Sequence, residues 1–252
     1  MITILSSNLS LVNLDKLNKV VIPSYDLFFR EIWNHFSKYY QGYGEDDYRS
    51  IFFGTYVESL LWTIYQLENF SNNAPNLSIR PRFTSLKESS RVQILAQFDT
   101  INRKTFVMDT MSLVEDFLNS ICIEIFGKQF RDYKTTIDEL NKLIFSGDKN
   151  KLNSLYSLYL IRNSLHNNGF IKRKIQEFDL IIGTKTHPFR NNSQITFSGW
   201  DDLYILAKNI MEIIIEIIEN PIIRKIPKVK HTNALESDTG VLINNNKNQI
   251  KS

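Results

Sequence analysis

Apolar residues recur every three or four positions over most of this 252-residue chain, which is the spacing that lets an α-helix bury one face. Residues 25–40 follow this pattern after Pro23 and Ser24, a pair that often begins a helix. The pattern returns over 47–69 and again over 86–126, the latter as one helix or as two in succession. The first half of the chain is therefore predicted to be helical.

Two more helices are predicted beyond residue 130. Residues 135–139 offer the capping pattern of a short helix that ends at Gly147. Residues 148–168 form the next apolar pattern, and Gly169 provides its stop. The helical pattern thus continues to about residue 169.

The pattern then changes to two short β-type runs, 177–182 and 194–197, separated by turn formers such as Pro188. A final helix follows and runs to Asn220, where Pro221 stops it. We therefore predict a mainly α protein with a small β-hairpin inserted before the last helix. Residues 222–252 are polar and rich in Asn and Lys, which predicts a disordered basic tail.

The net charge of +3 is unevenly distributed. From Ile222 onward six Lys and Arg face two acids, which leaves +4 in the tail and −1 in the rest of the chain. Bulk charge therefore gives no general basic surface from which nucleic-acid binding would follow.

The only cysteine, Cys122, lies in an apolar run. One cysteine forms no intrachain disulfide and assembles no cysteine-based metal site, so we expect a core residue. The sequence also lacks a His-x-x-x-His pair and a glycine-rich phosphate loop. We predict neither a metal nor a cofactor.

Two features bear on location. The N-terminus has no basic residue before its short apolar patch, which argues against a signal peptide. The apolar stretch 210–223 carries Glu212, Glu216 and Glu219 on one helical face, which argues for a core helix and against a membrane span. We expect a cytoplasmic protein that does not enter a membrane.

The segment 160–169 is the most informative for chemistry. Arg162 and His166 stand at i and i+4, about 40° apart around a helix, so a permanent cation and a proton carrier share one face. An imidazole there could take a proton from a ribose 2′-hydroxyl while the guanidinium holds the phosphate. The same residues would also be found if Arg162 only faced solvent and His166 only interacted with the C-terminal end of its helix, which are structural roles.

The stretch Arg162-Asn163-Ser164-Leu165-His166 resembles the motif of the HEPN superfamily, an Arg followed by a polar residue and then a His on a late helix. Three residues separate Arg and His here, where the family usually has four to six. The segment 112–118 resembles the acid-bearing earlier helix of these bundles, with Glu115 as the acid that faces the Arg. The resemblance covers roughly residues 86–220.

The resemblance implies a HEPN-like helical bundle over 86–221, preceded by an N-terminal helical region over 1–85 that resembles nothing we can name. It implies a metal-independent endoribonuclease acting on RNA as a toxin or antiviral-defence effector. His166 would be the general acid and base and Arg162 the phosphate-binding group, while Asn163 would orient one of them and Glu115 would position Arg162. It also implies a homodimer and an antitoxin or regulatory partner protein.

Two other functions stay open. The first is a non-catalytic helical module for partner binding or dimerisation, and the second is nucleotide binding without cleavage. We expect structural roles for the other histidines and for the tryptophans: a helix-surface or partly buried His35, a loop residue His187, a tail residue His231, and core or hairpin-packing Trp33, Trp62 and Trp200.

Overall fold

The computed structural model describes residues 16–73, 88–130, 132–145, 149–165, 167, 169–172, 174–195 and 199–231. Helices make up most of these residues, so the prediction of a mainly α-helical protein is confirmed. The described residues form seven α-helices and two strands: α1 (Ile22–Tyr43), α2 (Tyr48–Asn73), α3 (Glu88–Phe126), α4 (Tyr133–Leu140), α5 (Lys149–Leu165), β1 (Phe178–Ile182), β2 (Lys185–Phe189), α6 (Trp200–Glu219) and α7 (Pro221–Arg224). Two π-helical turns, Leu17–Val21 and Asn141–Phe145, precede α1 and follow α4.

Helix α1 begins earlier than the sequence pattern indicated. Pro23 lies in its first turn, where the missing N–H of proline costs no hydrogen bond. Ser24 is therefore inside the helix, and its hydroxyl donates to the carbonyl of Val20 at 2.7 Å. The helix ends at Tyr43, and Gly44 follows with a φ of +88°, in a region that favours glycine.

Helix α3 is a single helix of 39 residues. Of the two alternatives for residues 86–126, one helix or two in succession, the first is therefore correct. Its buried side chains include Phe117 and Ile121, both fully enclosed. Helix α2 packs on one side of α3 and α5 on another. Buried residues from both sides of the predicted boundary at residue 85 belong to one hydrophobic core.

The predicted hairpin exists, but its second strand was misplaced. Strand β1 pairs antiparallel with β2, at 185–189, and not with 194–197. The sharp turn is possible because Gly183 adopts a φ of +57°. Pro188, taken from the sequence as a break, lies in β2 opposite Asp179; β2 is an edge strand, where a missing N–H is tolerated. Of the misplaced run, Gln194 makes only an isolated bridge with Phe170.

The prediction of a disordered tail is wrong for its first ten residues. Residues 221–231, which we call the C-terminal strap, pack against α2 and α3, and Ile223 and Val229 are fully buried. The apolar residues at 223, 226 and 229 explain this packing, because they follow one another at a spacing of three. The remainder of the predicted tail, 232–252, lies outside the described residues.

Within the described parts of the chain, no helix is both long enough and apolar enough to cross a lipid bilayer. Helix α6 contains the apolar stretch that raised the question. It buries Ile210, Ile214 and Ile217 and keeps its glutamates on the opposite side, with Glu216 in contact with Lys151.

Candidate functional site

Helix α5 carries the Arg-Asn part of the motif in its last turn. Leu155, Leu158 and Ile161 bury the helix against the core, which leaves Arg162 on the partly exposed side. The helix ends at Leu165, and Gly169 follows with a φ of +83° while its N–H donates to the carbonyl of Ser164. Arg162 and Asn163 therefore lie at the C-terminal end of α5.

Arg162 meets Glu115 of α3. The Nη1 atom of Arg162 donates to Oε2 of Glu115 at 2.9 Å, and both side chains are about 30% exposed. The Nε atom of Arg162 is buried and has no hydrogen-bond partner among the described residues. The pair is therefore accessible from solvent, and the guanidinium is held in place from one side by a neighbouring helix.

The other two motif residues are placed differently. Asn163 follows Arg162 in the same turn, and its backbone carbonyl accepts a hydrogen bond from the side chain of Asn167 at 3.1 Å. His166 lies outside the described residues, so its distance from Arg162 stays a prediction. The structure thus brings together Arg162 and Glu115 and places Asn163 beside them along the chain.

A groove runs between α2 and α3 and includes Glu115. This α2–α3 groove is open to solvent and has a volume of about 650 Å³. Its lining residues are Thr55, Glu58, Ser59, Asp109, Ser112, Leu113, Glu115, Asp116 and Asn119. Four of the nine are acids and none is a Lys or Arg, so the field in the groove favours cations.

A second cluster at the groove contains a histidine that sequence reasoning had assigned to the tail. His231 Nε2 lies 2.7 Å from Oδ2 of Asp116, and the Tyr48 hydroxyl donates to the same oxygen at 2.7 Å. The rings of Tyr48 and His231 meet edge to face at 4.4 Å. Burial and this hydrogen bond raise the pKa of Tyr48 well above its usual range.

The strap is held in this position by a buried ion pair. Asp47 and Arg49 are almost fully enclosed, and Nε of Arg49 donates to Oδ1 of Asp47 at 2.8 Å. Arg49 also donates to the carbonyls of Ile223 and Ile226, and the N–H of Val229 donates to Asp47. The pair satisfies its own charges while it satisfies backbone groups of the strap, as a buried pair must.

The structure places the other cysteine and histidine candidates in buried or partly buried positions, where they pack against neighbouring residues. Cys122 is fully buried as expected, and burial raises its pKa to about 12, so it stays a thiol. His35 is partly buried, in line with one of the two positions expected for it, and stacks with Tyr39 and Phe53. His187 was expected in a loop but lies buried in β2, 4.0 Å from Asp202, and desolvation lowers its pKa.

The prediction for the tryptophans holds only in part. Trp200 is buried, and its Nε1 donates to Asp99 at 2.8 Å. Trp33 and Trp62, by contrast, are 48% and 54% exposed. The presence of a tryptophan in an apolar pattern therefore did not predict whether its side chain is buried or exposed.

Within the described residues, no three His, Cys, Asp or Glu side chains are grouped so that they could hold a metal ion. Comparison of the chain with protein-family models, with curated proteins and with solved structures finds no match.

Proposed function

We propose that the protein is a metal-independent endoribonuclease of the HEPN type. The observation that carries the proposal is the 2.9 Å contact between Arg162 on α5 and Glu115 on α3, two residues that the resemblance assigns to one site. A carboxylate that holds one edge of a guanidinium leaves its other donors available for a phosphate.

The chemistry needs few groups. His166 takes the proton of a ribose 2′-hydroxyl, and the 2′-oxygen attacks the adjacent phosphorus. Arg162 stabilises the charge that develops on the phosphate oxygens, and Asn163 orients the substrate or one of the two partners. The bond from phosphorus to the 5′-oxygen breaks and that oxygen takes up a proton, which leaves a 2′,3′-cyclic phosphate and a 5′-hydroxyl.

The setting of this activity is part of the same proposal. A cytoplasmic toxin or antiviral-defence effector would act as a homodimer, so that two copies of the Arg162 site line one cleft. Such a cleft brings two Arg162 guanidinium groups together, so its local charge is positive although the body of the chain carries no positive net charge. An antitoxin or regulatory partner protein would restrain it.

The test uses two arginines on different surfaces. RNA cleavage in EDTA is measured for the wild type, for Arg162→Ala and for Arg224→Ala, a control whose side chain is 63% exposed at the far end of α7. Arg162→Ala should lose at least about 99% of the activity, since a lost transition-state contact costs ~3 kcal/mol. Arg224→Ala should keep the activity. Equal loss in both variants, or none in either, would contradict the proposal.

A non-catalytic binding module is the second candidate. The observation that favours it is the exposure of large apolar side chains on α2, where Leu61, Trp62 and Tyr65 are 47%, 54% and 55% exposed. Exposed apolar groups of this size are typical of protein interaction surfaces. If the chain is stably folded and cleaves RNA under none of the conditions tested, this candidate is favoured.

A further inference from the structure

The outward face of α2 carries a stripe that the core does not use. Leu61 and Trp62 lie three and four positions after Glu58, and Tyr65 lies three positions after Trp62, so the four share one side of the helix, and all are exposed. The rings of Trp62 and Tyr65 stack with their centroids 5.5 Å apart. The stacked rings of Trp62 and Tyr65 are therefore exposed to solvent on the same side of the helix as the carboxylate of Glu58.

Helix α3 extends this apolar surface from the other side. Its Phe98 and Ile101 are 44% and 57% exposed and lie one turn apart. Ring contacts between Phe70 and Phe98 and between Phe52 and Phe117 show that α2 and α3 run antiparallel. Phe98 and Ile101 thus lie beside the last turns of α2.

Trp62 follows the groove residue Glu58 by four positions on α2, and Phe98 precedes the groove residue Asp109 by eleven positions on α3, so the apolar side chains lie on the same helix faces as the acids. Of the four acids of the groove, Glu115 is paired with Arg162 and Asp116 with His231. Glu58 and Asp109 have no ion-pair partner among the described residues. Desolvation raises the pKa of Asp109, so its carboxylate is partly deprived of water without a cation in exchange.

We propose that the α2–α3 groove binds an amphipathic helix of a partner protein. The apolar side chains of that helix cover Trp62, Tyr65 and Ile101, and its Lys or Arg side chains pair with Glu58 and Asp109. From Phe98 to Asp116, α3 itself is about 27 Å long, which is the length of a helix of about 18 residues. The proposal does not depend on whether the protein cleaves RNA.

Charge and shape together select this occupant. The carboxylates of Glu58 and Asp109 repel the phosphates of nucleic acids and of anionic lipids, so neither class of ligand fits this part of the groove, away from the Arg162–Glu115 pair. The groove lies between two antiparallel helices and combines exposed aromatic rings with carboxylates, which suits an amphipathic helix whose polar side is basic. A basic helix would gain apolar burial at one end and charge pairs at the other.

The experiment uses a synthetic probe of this chemistry. An 18-residue helical peptide of Leu and Lys, with Leu at spacings of three and four, is titrated into the full chain and its affinity is measured by fluorescence anisotropy. A peptide with Glu in place of each Lys is the matched probe. The Lys peptide should bind at least about ten times more tightly than the Glu peptide.

Four variants locate the binding. The double variant Glu58→Gln/Asp109→Asn and the single variant Trp62→Ser should each weaken binding of the Lys peptide by about tenfold or more. The control variants Asp138→Asn on α4 and Ile181→Ser on β1 change an exposed acid and an exposed apolar residue elsewhere, and they should change the affinity less than twofold. All of these side chains are exposed, so the variants should fold.

A spectroscopic readout reports on the groove itself. In a two-dimensional NMR spectrum, the indole N–H signal of Trp62 should move on addition of the Lys peptide, while that of buried Trp200 stays in place. An unmoved Trp62 signal at saturating peptide would overturn the proposal. So would unchanged affinity in both groove variants, or equal binding of the Glu peptide. Sedimentation showing a dimer that Trp62→Ser dissociates would also overturn it, because a second copy would then be the occupant.

Discussion

Glu115 and Arg162 are 47 positions apart in the chain, and their side chains meet at 2.9 Å between Oε2 and Nη1. The contact joins the C-terminal half of α3 to the last turn of α5, the two helices on which the proposed activity depends. Because both side chains are about one-third exposed, the pair contributes little to stability and is available to a ligand.

Removing the charge of Glu115 should affect activity more than folding. We expect Glu115→Gln to change the free energy of unfolding by less than about 1 kcal/mol, since exposed pairs contribute little. Its kcat for RNA cleavage should fall about tenfold with a smaller change in KM, because Arg162 would lose its position in the transition state. Glu139→Gln, which breaks a surface pair with Lys142, is the matched control and should leave kcat unchanged. An unchanged kcat in Glu115→Gln would remove Glu115 from the site.

The buried pair of Asp47 and Arg49 should matter for stability. Arg49→Met leaves the Asp47 carboxylate enclosed without a cation and removes the donors that hold the strap, so we expect a loss of about 3–5 kcal/mol. Lys38→Met, which breaks a surface pair with Glu219, should cost less than about 1 kcal/mol. Urea denaturation of both variants measures the difference, and equal losses would show that the strap is not anchored by this pair.

Cys122 should be inert in the folded protein. Burial raises the pKa of its thiol to about 12, so almost no thiolate exists at pH 8 and the sulfur is also out of reach of reagents. We expect iodoacetamide to modify Cys122 only after the chain is unfolded in urea, as detected by mass spectrometry. Rapid modification of the folded protein would show that the helix around Cys122 opens.

His187 should make the fold weaker in mild acid. Desolvation lowers its pKa in the folded state below the ordinary value of 6.5, although Asp202 opposes that shift. The unfolded chain therefore binds more protons in the window just below 6.5, and stability falls as the pH is lowered through it. His187→Gln should have a flatter dependence of unfolding free energy on pH between about 7.5 and 5.5. An equally steep dependence in that variant would assign the effect to another group, with His35, whose pKa is also lowered, as the next one to replace.

The sequence predicted the helices because their apolar residues repeat at helical spacing. It singled out Arg162 and its neighbours as a candidate site because Arg, His and Asn lie together at the end of an apolar helix, and that assignment stays a prediction. It misplaced β2 because Pro188 normally interrupts a strand, and only the three-dimensional position at a sheet edge makes it acceptable. Burial of Arg49 could not be inferred, since its charges are balanced by Asp47 and by carbonyls about 175 residues away. The exposure of Trp62 could not be predicted either, because the helical repeat of apolar residues shows which of them share a face but not whether another element covers that face.

The ends of the RNA fragments test the central claim most directly. The wild-type protein is incubated with RNA in EDTA, and the fragment ends are identified beside those from His166→Ala. We predict fragments with a 2′,3′-cyclic phosphate and a 5′-hydroxyl from the wild type and no fragments from His166→Ala. Equal cleavage by both proteins, or fragments with a 3′-hydroxyl and a 5′-phosphate, would contradict the account.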